Sequence, residues 1–266
     1  MRKTFLYKFL ISLALLVFAA PAFCRENFEG AKIISIAPSI TEIVYYLGLD
    51  KNLIGVSQSC DYPVDVKNKE IVGGVFSINK ERILELYLEN DRRLKILALI
   101  FAKPFLGELS HIDGIEIEYF EFKRVDDVNG AILRLGKIYN VPQKQLQLPP
   151  PTASTPKKIL YLIQTSPIIT IGKNSYITDV IARSGNISVT GDLNGEYPPV
   201  SKEYIASLSP DIIVVDNYDS TDKLDDLKAF HKNAKFIQLK QAQKDVINRP
   251  GPRVIEGVKI FRELAQ

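Results

Sequence analysis

Residues 40–48 read ITEIVYYLG, and residues 177–185 read ITDVIARSG. In both, apolar residues fall at the first, fourth and fifth positions, the spacing of one helix face. A glycine closes each segment, Gly48 in one and Gly185 in the other, where a helix wants a left-handed residue after its last turn. Ser39-Ile40-Thr41-Glu42 also fits a capping box at the start of the first segment. Two amphipathic helices with one pattern, one in each half of the chain, predict a duplicated unit.

A second matched pair follows in the same order. Residues 79–86, NKERILEL, correspond to residues 201–208, SKEYIASL. Each has a polar cap, a Lys-Glu pair, and apolar residues three apart (Ile83/Leu86 and Ile205/Leu208). Between the halves lies PPPTASTP, residues 149–156, a proline-rich linker without periodicity. Short apolar runs alternate with the helical patterns: Ile33–Ile36, Leu53–Val56, Leu94–Phe101 and Ile115–Phe120, then Ile159–Ile163, Ile212–Val215 and Phe236–Leu239. Buried runs separated by helices form parallel sheets covered on both faces. The expected fold is therefore α/β, with two Rossmann-like lobes, each around a central and mostly parallel sheet. A ligand cleft lies between them, joined by a single short interdomain linker. The N-terminal lobe spans 30–142, the Pro-rich linker 143–157 and the C-terminal lobe 158–266.

Residues 1–22 read as a signal peptide: Arg2, Lys3 and Lys8, an apolar run from Phe9 to Phe18, then Ala20 and Ala22 at an A-x-A-like end. Export to the periplasm is expected. A lipid anchor on Cys24 is disfavoured by the bulky Phe23 before it. The formal net charge of +3 resides in this segment, since without its three basic residues the chain carries 31 basic and 31 acidic side chains. That balance argues against nucleic acid as a partner. The chain has 2 cysteines, 2 histidines and no tryptophan. His111 and His231 sit in polar contexts that suggest solvent-facing loops. No zinc spacing, P-loop, GxSxG or GxGxxG is present, so neither an enzyme nor a resident metal or cofactor is expected.

The stretch GVSQSCDYP, residues 55–63, breaks a buried strand into a polar turn carrying Cys60, Asp61, Tyr62 and Pro63. Taken with KIISIAPSITEIVYYLG, VGGVFSINKERILEL, GEYPPVSKEYIASLSPDIIVV and NRPGPRVIEGVKIF, it resembles the periplasmic substrate-binding proteins of ABC importers for cobalamin, haem and iron–siderophores. The resemblance covers nearly the whole chain after the leader and is nearest to the cobalamin-binding members. It implies a monomer that clamps a metal-chelate ligand, cobalamin or another corrinoid first, and delivers it to a membrane-embedded permease dimer. Haem or a ferric siderophore is the alternative within the family, and a periplasmic sensor or scaffold the alternative outside it. A haem ligand would call on Tyr62 or Tyr197, because Met1 is the only methionine.

The resemblance also implies positions. Ser59 and Cys60 fall in the turn that lines the family's cleft. Val75 and Phe76 fall where the cobalamin binder has tryptophan and glutamine, and Tyr197 where it has tryptophan. Asp245, Val246, Ile247, Asn248 and Arg249 match the contact loop of the second lobe. Glu81 and Glu203, at equivalent places in the repeat, match the glutamates that dock on permease arginines. The bare residues leave a plainer reading of both, since an acidic side chain in a first helical turn is favoured by the helix dipole alone. Three departures stand out. Without tryptophan the pocket's aromatic wall is expected to be thin. YLENDRR, residues 87–93, suggests a long charged connection from helix to strand. The spanning helix of the family is replaced by a short proline-rich segment, which suggests more loosely coupled lobes.

Overall fold

The structure, a computed structural model, describes residues 30–142, 144–151, 155–217 and 227–266. The leader, Cys24, Gln143 and residues 152–154 of the linker lie outside the described residues. The first lobe comprises β1 (Lys32–Ser35), α1 (Pro38–Tyr46), β2 (Leu53–Val56), β3 (Glu70–Ile71), the hairpin β4 (Gly73–Gly74) and β5 (Ser77–Ile78), α2 (Lys80–Glu89), β6 (Leu94–Leu99), α3 (Lys103–Leu106), β7 (Ile115–Phe120) and α4 (Val125–Ile138). The second comprises β8 (Lys158–Thr165), β9 (Ile168–Thr170), α5 (Tyr176–Arg183), β10 (Ile187–Ser188), α6 (Lys202–Ser207), β11 (Ile212–Asn217), β12 (Lys235–Gln238), α7 (Gln241–Ile247) and α8 (Val254–Leu264).

The first sheet runs β3-β2-β1-β6-β7 with every pair parallel. The second runs β10-β8-β11-β12, also parallel, and β9 folds back antiparallel on β8. In each sheet the strand order changes direction across the first strand of the lobe, which leaves a crevice beyond the carboxyl ends. Both repeats behave as their sequences predict. Gly48 (φ 70°) and Gly185 (φ 88°) supply the left-handed residue after α1 and α5. Asn79 caps α2 by accepting the Arg82 N–H at 2.9 Å, and Ser201 caps α6 by accepting the Tyr204 N–H at 3.1 Å.

Four expectations are corrected. α1 has no capping box: Ala37 precedes it, Pro38 starts it, and Ser39 and Glu42 are buried instead. Pro at the first position needs no N–H partner, which makes a side-chain cap dispensable there. Residues 87–89 continue α2, and the turn to β6 is only residues 90–93, tightened by Asp91 and Arg92 in left-handed backbone. β6 stops at Leu99, and residues 100–102 form a single 3₁₀ turn. His231 is buried, while His111 is exposed as expected.

One apolar layer is common to both lobes. It joins Ile40, Ile43 and Val44 of α1, Val128, Ile132 and Leu135 of α4, Ile177, Val180 and Ile181 of α5, and Val258 and Phe261 of α8. Each such side chain contributes about 1.5–3 kcal/mol when fully buried. The outer faces of the two sheets carry separate clusters. Residues 144–151 form no helix and lie extended, as the prolines require. They are not a free tether. Leu146 is buried, with its N–H given to Asn129 Oδ1 at 2.8 Å, and Arg262 donates to the Pro150 carbonyl. The lobes are coupled through the shared apolar layer, onto which residues 144–151 also pack.

The start of α4 is tied to the second lobe as well. Asp179 Oδ2 accepts the Val125 N–H at 2.8 Å, and Arg124 pairs with the same carboxylate at 3.3 Å. Asp179 thus caps a helix 54 residues away in sequence. Asp179→Ala should cost roughly 1–2 kcal/mol. The check is a lowered melting temperature together with faster amide exchange in the first turn of α4.

Candidate functional site: the cleft between the lobes

The carboxyl ends of β6 and β7 face the second lobe across a cavity of about 320 Å³. Leu99, Phe101, Phe120 and Phe122 line it from the first lobe, and Tyr176, Tyr197, Asn248 and Pro250 from the second. Its aromatic wall is not thin. Phe76 packs edge-on to Phe105 at 5.7 Å and lies 6.3 Å from Phe101. Phe76 and Phe105 stand outside the lining itself and join it through Phe101; Phe76 is 78% exposed. The phenylalanines of FAKPF stand where no tryptophan is needed. Their signal in the sequence was a pair of aromatics just past a buried strand, too common a pattern to single out.

Both lobes contribute polar groups: Glu121 and Lys123 from the first, paired at 2.8 Å, and Tyr176, Glu196, Tyr197 and Asn248 from the second. Tyr197 presents its ring to the cavity, and burial, reinforced by Glu196, raises its hydroxyl well above the ordinary tyrosine value. The Tyr176 side chain is 3% exposed and its hydroxyl has no hydrogen-bond partner among the described residues. Burial likewise raises its pKa. Asn248 is held from below: its Oδ1 accepts the Tyr161 hydroxyl at 3.2 Å, and its Nδ2 donates to Asp216 at 2.6 Å. Lys244 lies 3.5 Å from the same carboxylate.

The segment predicted as a contact loop is largely helical, and its residues separate by face. Val246 and Ile247 are buried on α7, Ile247 in the core shared by the lobes. Asp245 instead stays on the surface side and accepts from Arg249 at 3.1 Å. Arg249 reaches across the lobes: its guanidinium donates to both carboxylate oxygens of Asp61, at 3.1 Å for the Nη2–Oδ2 pair. Alongside, Arg253 donates Nε to Glu42 at 2.9 Å and Nη2 at 2.5 Å, and its guanidinium lies 4.0 Å above the Tyr62 ring. Glu42, Asp61, Arg249 and Arg253 thus form a charged seam between the lobes. The sequence offered Glu42 only as a capping residue and did not mark Arg253 at all.

The Cys60 side chain turns inward. Its thiol is buried, 3.2 Å from the Thr41 hydroxyl and 3.3 Å from that of Ser57, and burial pushes its pKa up. It fills the turn as a small apolar residue, while Ser59 beside it is exposed. Val75 is half-buried against the outer core of the first lobe. Glu81 and Glu203 lie exposed at the first turns of α2 and α6, away from the cavity lining. The helix's own N–H and the Ser201 hydroxyl hold the Glu203 carboxyl below the usual range. Among the described residues no group of three or more His, Cys, Asp or Glu side chains could hold a metal ion.

Comparison with known proteins agrees with this geometry. The periplasmic binding protein family matches residues 143–247. The vitamin B12-binding protein of Yersinia pestis is 27% identical over 238 residues, 84% of this chain and 82% of its own. The periplasmic vitamin B12 binding protein of Vibrio cholerae superposes with a TM-score of 0.66 at 25% identity, covering 88% of this chain and 97% of that one. The periplasmic haem binding protein HutB of the same organism superposes at 0.70 with 17% identity, covering 89% and 99%, and shares the fold.

The seam has a defined acid response. The hydrogen bond from Arg249 holds the Asp61 carboxyl below its ordinary value of 3.8. A carboxyl depressed by folding stabilises the folded state above its unfolded pKa and loses that contribution as pH falls through the folded one. Asp61→Asn should therefore flatten the acid limb of the melting-temperature profile below about pH 4. The Asp61→Asn profile should match the wild type at acid pH and fall below it near neutrality.

Proposed function

We propose that this chain is a substrate-binding protein of an ABC importer that captures a corrinoid and hands it to a permease, as its likeness to periplasmic binding proteins of the vitamin B12 and haem type supports. One observation carries this reading: both lobes bring aromatic side chains to the cavity between them, Phe101, Phe120 and Phe122 from the first and Tyr176 and Tyr197 from the second. A broad, flat macrocycle buries such surface, and a stacked ring adds about 0.5–1.5 kcal/mol beyond area. The polar groups, Asn248 foremost, would orient it, as small-molecule sites do. Ser59 is exposed on the facing turn and is a further contact. Relatives that bind vitamin B12 match most of the chain, which supports cobalamin over other chelates.

Haem is the second reading, supported by Tyr197 in the cavity lining. A tyrosine oxygen can ligate haem iron. Tyr62, the other candidate, is committed to Arg253. Titration calorimetry of the mature protein with cyanocobalamin and with haemin separates the two. Tight binding of cobalamin, weakened about two- to tenfold by Phe101→Ala and by Tyr197→Ala, is the expected result. Binding of haemin alone, with a visible spectrum that changes in Tyr197→Phe, would replace corrinoid by haem.

The remaining parts follow the same reading. The leader directs the chain to the periplasm, and the protein works as a monomer. Glu81 and Glu203 project from separate lobes, and two such carboxylates set register on a permease dimer that presents basic residues to both. Glu81→Lys with Glu203→Lys should leave melting temperature and ligand affinity near wild type while uptake through the cognate transporter collapses. Transport unaffected by the double reversal would remove the docking role.

A further inference from the structure

Residues 248–253, NRPGPR, form a wall with a cavity on each side. Asn248 and Pro250 line the cleft already described, whereas Pro252 and Arg253 line a second cavity of about 580 Å³. This second space lies between α1, the Tyr62-Pro63 turn, α8 and the linker strap. Tyr45, Tyr46 and Glu42 contribute from α1, Ile255 from α8, and Lys144 to Gln147 from the strap. Its volume is that of a small-molecule site.

The walls are aromatic and aliphatic, with charge at few points. Tyr45, Tyr46 and Ile255 are half-buried. The Tyr45 hydroxyl is buried without a hydrogen-bond partner among the described residues. Glu42 is the only acid in the lining, and its side chain is 2% exposed and taken up by Nε and Nη2 of Arg253. That leaves Arg253 Nη1 outside the pair. Lys144 stands exposed at the mouth, with no ion pair to a described residue. The lining therefore carries one more cation than anion.

We propose that this cavity is a second binding site, for a flat aromatic monoanion such as a carboxylate or sulfonate. The ring lies among Tyr45, Tyr46, Tyr62 and Ile255, and the acid group pairs with Lys144 and Arg253 Nη1. Excess positive charge beside apolar walls selects such a ligand over a neutral or cationic one. The site sits behind the seam and touches both lobes and the strap, so an occupant bridges all three. It is independent of which chelate occupies the cleft.

The probe is 8-anilinonaphthalene-1-sulfonate, titrated by calorimetry into the mature protein. One saturable site is expected, still present when the cleft is saturated with cyanocobalamin or haemin and unaffected by Tyr197→Ala. Lys144→Glu, a surface change that leaves folding intact, should weaken it about fivefold, the weight of one exposed ion pair. Ile255→Trp should abolish it by filling the space, with the melting temperature reporting that the chain remains folded. Absence of a saturable site overturns the proposal. So does binding that Lys144→Glu leaves unchanged, or binding lost in Tyr197→Ala, which would put the probe in the cleft.

Discussion

Glu42 and Arg253 are 211 residues apart and meet as a buried, two-pronged ion pair where the lobes join. Burial raises the Glu42 carboxyl above its ordinary value of 4.5, against the pull of Arg253. A charge in that position is tolerable only with a partner, since desolvation alone costs several kcal/mol. The rest of the interface is arranged around this requirement. Tyr62 supplies a ring beneath the guanidinium. Gly251 lets the second lobe close in: a Cβ there would meet Glu42 Oε2 at 3.2 Å. Arg249 and Asp61 extend the contact towards the cleft. The seam fixes the distance between the two sheets, and with it the width of the cavity on either side.

Much of the architecture was legible because it is local. Apolar runs gave the strands, and glycines after a helical face gave the ends of α1 and α5. What was not legible depends on pairs far apart in sequence. Glu42 reads as a capping residue until Arg253 is beside it, and Asp179 reads as one turn of α5 although it caps α4. Cys60 shows the same difficulty in miniature: a thiol in a polar turn points inward when Thr41 and Ser57 wait for it there. Val246 and Ile247 lie in a segment read as a loop that is helical, and both turn to its buried side.

The cleft itself was half legible. Phe76, Tyr197, Asn248 and Arg249 stand at or beside the space between the lobes, though Arg249 is engaged with Asp61 rather than open to the cavity. Phe101, Phe105 and Tyr176 needed the fold. Phe101 and Tyr176 line one cavity from the turn after β6 and the start of α5, and Phe105 meets Phe76 beside it.

The apolar layer shared by α1, α4, α5 and α8 bears on biogenesis. Nearly all of the first half must emerge before its partners in α5 and α8 exist, and the faces of α1 and α4 are then sticky surfaces without cover. Contacts between distant parts of a chain form late and slowly. A polypeptide of this design spends its early life aggregation-prone, and holding factors that shield nascent chains would govern its yield more than the final stability of the folded form. Severing the chain at the linker would leave two halves that each expose half of one core.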